Sequence, residues 1–281
     1  MAGETPVRRR LVGGALRRYR ENLGYALEDA AKVLECDRSK ISRIETGQRG
    51  IRPKELRELL TEYGVPEVEQ QALVGLARRG GQGGWWDEYS DVVPEAVADY
   101  FIMESVAAEI MTYEAQLVPD LLQTPDYARA IAAAAPGSDA DDRADRLTAA
   151  KAARQDVTLG RAVRLSVVIG EAALRQVVGG PEVMAAQLAR LAELATDFPG
   201  ITLQVLPFSA GAHAAGGSAS LTILRFAEAP SLGVVYLEGL SGGVYLEGQT
   251  DIANYVRAFT LLRSSALTVT ETARMLRETA R

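Results

Sequence analysis

Over the first eighty residues apolar side chains recur three and four positions apart, the period of helices that bury one face. The spacing predicts a helix over Leu11–Asn22, with Leu16, Tyr19 and Leu23 on one side and Arg17, Arg18 and Arg20 on the other. A second is predicted over Leu27–Leu34, burying Ala30, Ala31 and Leu34, two of them small enough for a neighbouring helix to cross closely. After the turn Glu35-Cys36-Asp37, with Asp37 as N-cap, a third helix places Ile41 and Ile44 inward and ends at Gly47. A fourth begins at Pro53 and turns Leu56, Leu59 and Leu60 to the core. A fifth, Glu67–Arg79, carries Val68, Ala72, Leu73 and Leu76.

The glycine-rich stretch Arg79–Gly84 interrupts the pattern and sets an expected domain boundary, giving 1–80 and 81–281. Trp85 and Trp86 follow at once and are expected to anchor the second domain's first segment in its core. Helical periodicity then returns over 93–114, with Val97, Tyr100, Phe101 and Met111 in one stripe. A turn at Val118–Gln123 leads into a helix starting at Thr124-Pro125, and an acidic loop at 136–146 precedes a long helix to about Gln155. Beyond that the period shifts to two. Val163, Leu165 and Val167 predict one strand, Ile201, Leu203 and Val205 another, and three more lie near 220–226, 233–237 and 243–246. Helices separate the first two strands and close the chain at about 252–264 and 269–279. The expected class is mainly α: a five-helix N-terminal domain and a C-terminal α+β domain with a small, mostly antiparallel sheet. Tyr236-Leu237-Glu238-Gly239 echoes Tyr245-Leu246-Glu247-Gly248, which fits two strands of one hairpin.

Composition sharpens this division. The net charge of −6 splits into a surplus of four positive charges over residues 1–80, which hold 16 Lys+Arg against 12 Asp+Glu, and a deficit of ten over the rest. A basic module on an acidic body suits a nucleic-acid partner for the first part only. The single cysteine, Cys36, excludes a disulfide framework, and the single histidine, His213, excludes a two-histidine zinc site. No apolar run reaches membrane-spanning length and no apolar signal core follows the basic start, so a soluble, cytoplasmic protein without membrane contact is expected. No catalytic residues, metal site or cofactor are expected, and an enzyme is not.

The third helix carries the strongest candidate chemistry. Major-groove readout needs long donors near a helix N-terminus, flanked by groups that reach phosphates. Arg38 and Ser39 are placed for base edges and Arg43, one turn on, for a base or a phosphate, with Ser42 beside them. Lys40, Arg49, Arg52, Arg17 and Arg20 suit the DNA backbone. A single module of this kind reads one half-site, so double-stranded DNA with a pseudo-palindromic operator and a homodimer are expected.

Ile41-Ser42-Arg43-Ile44-Glu45-Thr46-Gly47 resembles the recognition-helix signature of lambda-repressor-like, xenobiotic-response-element-type (XRE) helix-turn-helix regulators, over roughly residues 11–65. The resemblance implies that Arg38, Ser39 and Arg43 read bases and that a buried Glu45 orders the loop after the helix. Two positions depart from that pattern: Leu27 stands where a phosphate-binding glutamine is usual, and Glu35 where glycine is usual in the turn. The second half also resembles a known domain. The run from Leu117 to Ala130, together with Glu171–Arg175, Gly179–Met184 and Val205–His213, is similar to the C-terminal domain of antitoxin-like actinomycete transcriptional regulators. That implies control by a small protein encoded in an adjacent gene. The alternative is a domain that senses a small-molecule ligand, for which His213, Tyr236, Glu238 and Tyr245 are the candidate pocket. The glycines of 211–217 lack the phosphate-loop spacing.

Overall fold

The computed structural model of the chain describes residues 6–77, 84–94, 97–134, 141–226, 232–239 and 242–280. Of the expected boundary Arg79–Gly84 only Gly84 is among them, and residues 136–140 of the expected acidic loop lie outside. The chain forms two compact units. One comprises Met1–Gly84, Ala98–Ala108 and Arg225–Gly233; the other comprises Trp85–Val97, Glu109–Leu224 and Val234–Arg281.

The first unit holds α1 (Val7–Asn22), α2 (Leu27–Val33), α3 (Arg38–Glu45), α4 (Pro53–Glu62), α5 (Glu67–Ala77) and α6 (Ala98–Val106). Leu16, Ile41, Ile44, Leu56, Leu59, Leu60, Leu73 and Leu76 form its dry centre, each stabilising the fold by about 1.5–3 kcal/mol relative to an exposed position. Helix α1 approaches α3 at Gly13, where an added Cβ would stand 2.3 Å from the Ile44 carbonyl oxygen. The α2–α3 turn passes through Glu35 at φ +47°, the one non-glycine residue in the left-handed region among those described, and closes with the Cys36 N–H on the Ala31 carbonyl at 3.0 Å. Asp37 takes the N-cap position as the pattern predicts, but its side chain makes no cap bond; its backbone carbonyl accepts from Lys40 instead.

The second unit is built on a six-stranded sheet in the order β3-β2-β1-β4-β5-β6, from β1 (Glu109–Glu114), β2 (Arg164–Gly170), β3 (Ile201–Leu206), β4 (Ser220–Arg225), β5 (Gly233–Gly239) and β6 (Gly242–Leu246). The sheet is larger than the small, mostly antiparallel one expected, and it is mixed. β1 pairs in parallel with β2 and β2 in parallel with β3, whereas β5 and β6 are antiparallel. The parallel half follows from its connections. Helices α7 (Pro125–Ala134) and α8 (Asp141–Leu159) separate β1 from β2, and α9 (Glu171–Arg175) and α10 (Pro181–Asp197) separate β2 from β3, the long crossovers that parallel pairing needs. β1 itself falls within the helix expected over 93–114. Its four central residues, Ile110 to Tyr113, are all buried, so the alternation that marks a half-buried strand is absent.

Met111, Tyr113, Val168, Leu221, Ile223 and Val235 make one apolar face, covered by Ile252, Phe259 and Leu262 of α11 (Gln249–Ser265). The outer edge of β3 is closed by the chain entering α12 (Val269–Thr279): Leu267 N–H bonds the Val205 carbonyl at 2.8 Å, and Val205 N–H bonds the Thr272 hydroxyl at 3.0 Å. Those bonds occupy backbone groups that would otherwise invite another strand. The repeated Tyr-Leu-Glu-Gly does form one hairpin, with Tyr236 opposite Tyr245. Trp85 and Trp86, by contrast, are only half-buried. They pack edge to face on each other, 5.8 Å between centroids, in a short 3-10 turn beside Tyr89.

Candidate nucleic-acid interface and the polar cluster of the second unit

On the outer face of α3, Arg38, Ser39 and Arg43 are exposed and Ser42 is half-buried. Arg43 Nε donates to the Ser39 carbonyl at 3.2 Å, which holds its stem along the helix. Arg38 is not free-swinging: its guanidinium bonds the Glu28 carboxylate, near the start of α2, at 2.9 Å. Around them, Arg17 is exposed and paired with Glu21 at 2.7 Å. Lys40 is mostly covered and donates to Glu55 at 2.6 Å, a bond that holds the Glu55 carboxyl below its ordinary range. Arg49 and Arg52 are exposed at the rim of a cleft of about 990 Å³ that also meets Arg9 and Lys40.

Arg20 is placed otherwise than its sequence position suggests. Instead of facing a DNA backbone it is buried, its Nε and second terminal nitrogen bonding both oxygens of the buried Glu45 at 2.7 and 2.8 Å. Its remaining nitrogen bonds the Tyr25 carbonyl at 2.7 Å. The pair ties α1 to the C-terminal end of α3 and satisfies both charges internally, as burial demands. Nothing in local spacing marks Arg20 off from Arg17, because its partner lies 25 residues away.

In the second unit the four expected pocket residues are not gathered at one place. Tyr236 and Tyr245 stand against each other on one face of the sheet, ring centroids 4.9 Å apart, with Glu238 two residues further along the same face. His213 is on the opposite side, edge-on to Tyr113 of the α11-covered face at 5.8 Å. The alternation of side chains across a strand separates them.

The tyrosine face has partners that the sequence did not reveal. Glu114, at the carboxyl end of β1, accepts from the Ser220 hydroxyl at 2.6 Å. Burial pushes its carboxyl up to about 8 despite that bond, with Glu238 and Asp120 adding to the rise. Glu238 keeps solvent contact but loses part of its hydration, and with Asp120 nearby its carboxyl is raised as well. For Asp120 burial acts the same way, but Lys151 at 2.9 Å and Arg154 at 3.1 Å outweigh it and hold the carboxyl below its ordinary value. The turn that carries Asp120 is a junction. Gln155 Nε2 bonds the carbonyls of Asp120 and Gln123, and Gln187 Nε2 bonds that of Leu122. The Val118–Gln123 motif therefore fastens α8 and α10 to the end of β1, and the glutamines that answer it lie too far along the chain to be matched by spacing.

The exposed basic face of α3 on a packed helical unit fits a helix-turn-helix, DNA-binding transcriptional regulator, and the family comparison supports that class. Residues 11–73 match a family model described as a helix-turn-helix domain. Residues 97–278, more than half of the chain, match the family described as a domain of unknown function (DUF5753), and the chain belongs to that family. Comparison with curated proteins and with solved structures returns no match. Among the described residues no helix is long and apolar enough to cross a membrane.

Proposed function

We propose that this regulator is XRE-like and antitoxin-like, binds a pseudo-palindromic operator as a homodimer, and is controlled by a small partner protein. In this reading 1–80 is the reading head and 81–281 dimerises and receives the partner. The observation that carries the DNA part is the exposed row Arg38, Ser39 and Arg43, set on a helix whose inner side is fixed by Ile41, Ile44 and the Arg20–Glu45 pair. Two copies are required because one recognition helix spans only a half-site. The resemblance of the second half to antitoxin-like regulators supports the partner. Footprinting of the full chain should protect two half-sites about one helical turn apart, and Arg38→Ala with Arg43→Ala should abolish sequence preference. An unchanged footprint in the double variant would remove the reading. Loss of operator binding on adding the small product of the adjacent reading frame would support partner control.

A second reading, a small-molecule sensor, is favoured by the cluster of Glu114, Ser220, Tyr236, Glu238 and Tyr245 beside Asp120, Lys151 and Arg154. A metabolite that raises the melting temperature of the wild type in proportion to log concentration, and not that of Tyr236→Ala, would support this reading over the first.

A further inference from the structure

The exposed ion pair between Glu28 and Arg38 is poorly explained as a stabiliser. Both side chains are more than half exposed, 52% and 68%, and a pair in that setting contributes about 0–1 kcal/mol at most. It also places a carboxylate beside the residue expected to approach a polyanion. What the pair does accomplish is geometric. Arg38 opens α3, where its side chain has turns of backbone behind it on one side only, and a long flexible stem would otherwise sample many rotamers. One terminal nitrogen of the guanidinium is held at 2.9 Å by Oε1 of Glu28, which biases the side chain toward one rotamer. A guanidinium carries five N–H donors in a rigid fork, so one bond to Glu28 leaves an adjacent pair of donors for the two acceptors, O6 and N7, that guanine presents in the major groove. The neighbouring cations are committed differently: Lys40 is bound to Glu55 and Arg20 to Glu45.

We infer that Glu28 is a positioning residue for base readout, orienting Arg38 toward one guanine in each half-site. The inference rests on the DNA-binding reading above and names the mechanism by which that helix discriminates. A carboxylate that merely repelled DNA would weaken binding to every sequence alike, whereas one that orients a reading arginine changes preference at one base pair.

The test is selection of bound duplexes from a randomised pool by the full chain, followed by affinity measurement on the selected site and on its single-base variants. Wild type should prefer guanine at one position per half-site, and Arg38→Ala should lose that preference. Glu28→Gln should reduce the guanine preference at that same position by about 3- to 10-fold, part of the discrimination a good bidentate contact supplies, with preferences elsewhere in the site retained. Glu28→Asp keeps the charge but shortens the reach, and should behave like Glu28→Gln. The inference is overturned if Glu28→Asp behaves as wild type while Glu28→Gln binds all duplexes more tightly, because charge alone would then account for Glu28. A wild-type chain that selects no sequence would instead overturn the DNA-binding reading itself, and an Arg38→Ala chain that keeps the full preference would show that Arg38 reads nothing for Glu28 to orient.

Discussion

At position 35 the chain holds a glutamate in the left-handed region, φ +47°, a conformation that costs a residue with a Cβ about 1–2 kcal/mol. Glycine adopts it without that strain but gives up more freedom on folding. Glu35→Gly should therefore stabilise the first unit by about 1 kcal/mol, read as a higher denaturation midpoint with an unchanged denaturant slope. A lower midpoint would mean that the Glu35 side chain does something that its exposed position conceals. Glu114 tests a different balance. Its carboxyl is raised from 4.5 to about 8 in the folded protein, so between those values the folded state holds a proton that the unfolded chain releases. This residue's contribution is thus fullest at low pH and is lost as pH climbs through that window. Wild type should lose more melting temperature than Glu114→Gln between about pH 5 and about pH 8; equal losses would place the titration elsewhere.

Among the elements, α1 and α3 meet so closely that residue 13 has no room for a methyl group, since the obstruction is the backbone oxygens of Ile44 and Glu45 at 2.3 and 2.7 Å. Gly13→Ala should cost about 1–3 kcal/mol by overpacking and should tilt α3, so that DNA affinity falls with stability, while Gly14→Ala, where an added Cβ meets nothing within 4 Å, should leave DNA affinity unchanged and stabilise the helix by about 0.5–1 kcal/mol. How far the elements could be read from the chain depended on their surroundings. The helices of the first unit bury one face each, and the period of Leu56, Leu59 and Leu60 or of Ile41 and Ile44 shows directly. β1 is buried on both faces and has no such period, and its position in the middle of the sheet is set by partners 55 residues and more away. Strand direction was legible only through the connections: a helical crossover predicts the parallel β1–β2–β3 half better than any property of the strands. The exposed row Arg38, Ser39 and Arg43 could be placed from periodicity, because exposure is what periodicity reports. Whether an arginine is paired depends on the fold, and on that point Arg17 and Arg20 look alike in the sequence.

For the molecule as a whole, the same buried pair between Arg20 and Glu45 alters what a binding experiment will count. Phosphates neutralised by a protein release condensed cations, and the logarithm of affinity falls with the logarithm of salt concentration with a slope of about −0.9 for each one. Arg20 cannot take part while both oxygens of Glu45 hold it, and Lys40 must first part from Glu55. Arg49→Ala or Arg52→Ala should therefore each flatten that slope by about one unit. Arg20→Ala should instead lower the stability by about 3–5 kcal/mol, as expected when a buried charge is orphaned, and leave the slope of the remaining folded protein as it was. Ion stoichiometry thus becomes a census of the cations facing solvent, and it will come out smaller than the number of arginines and lysines in the domain.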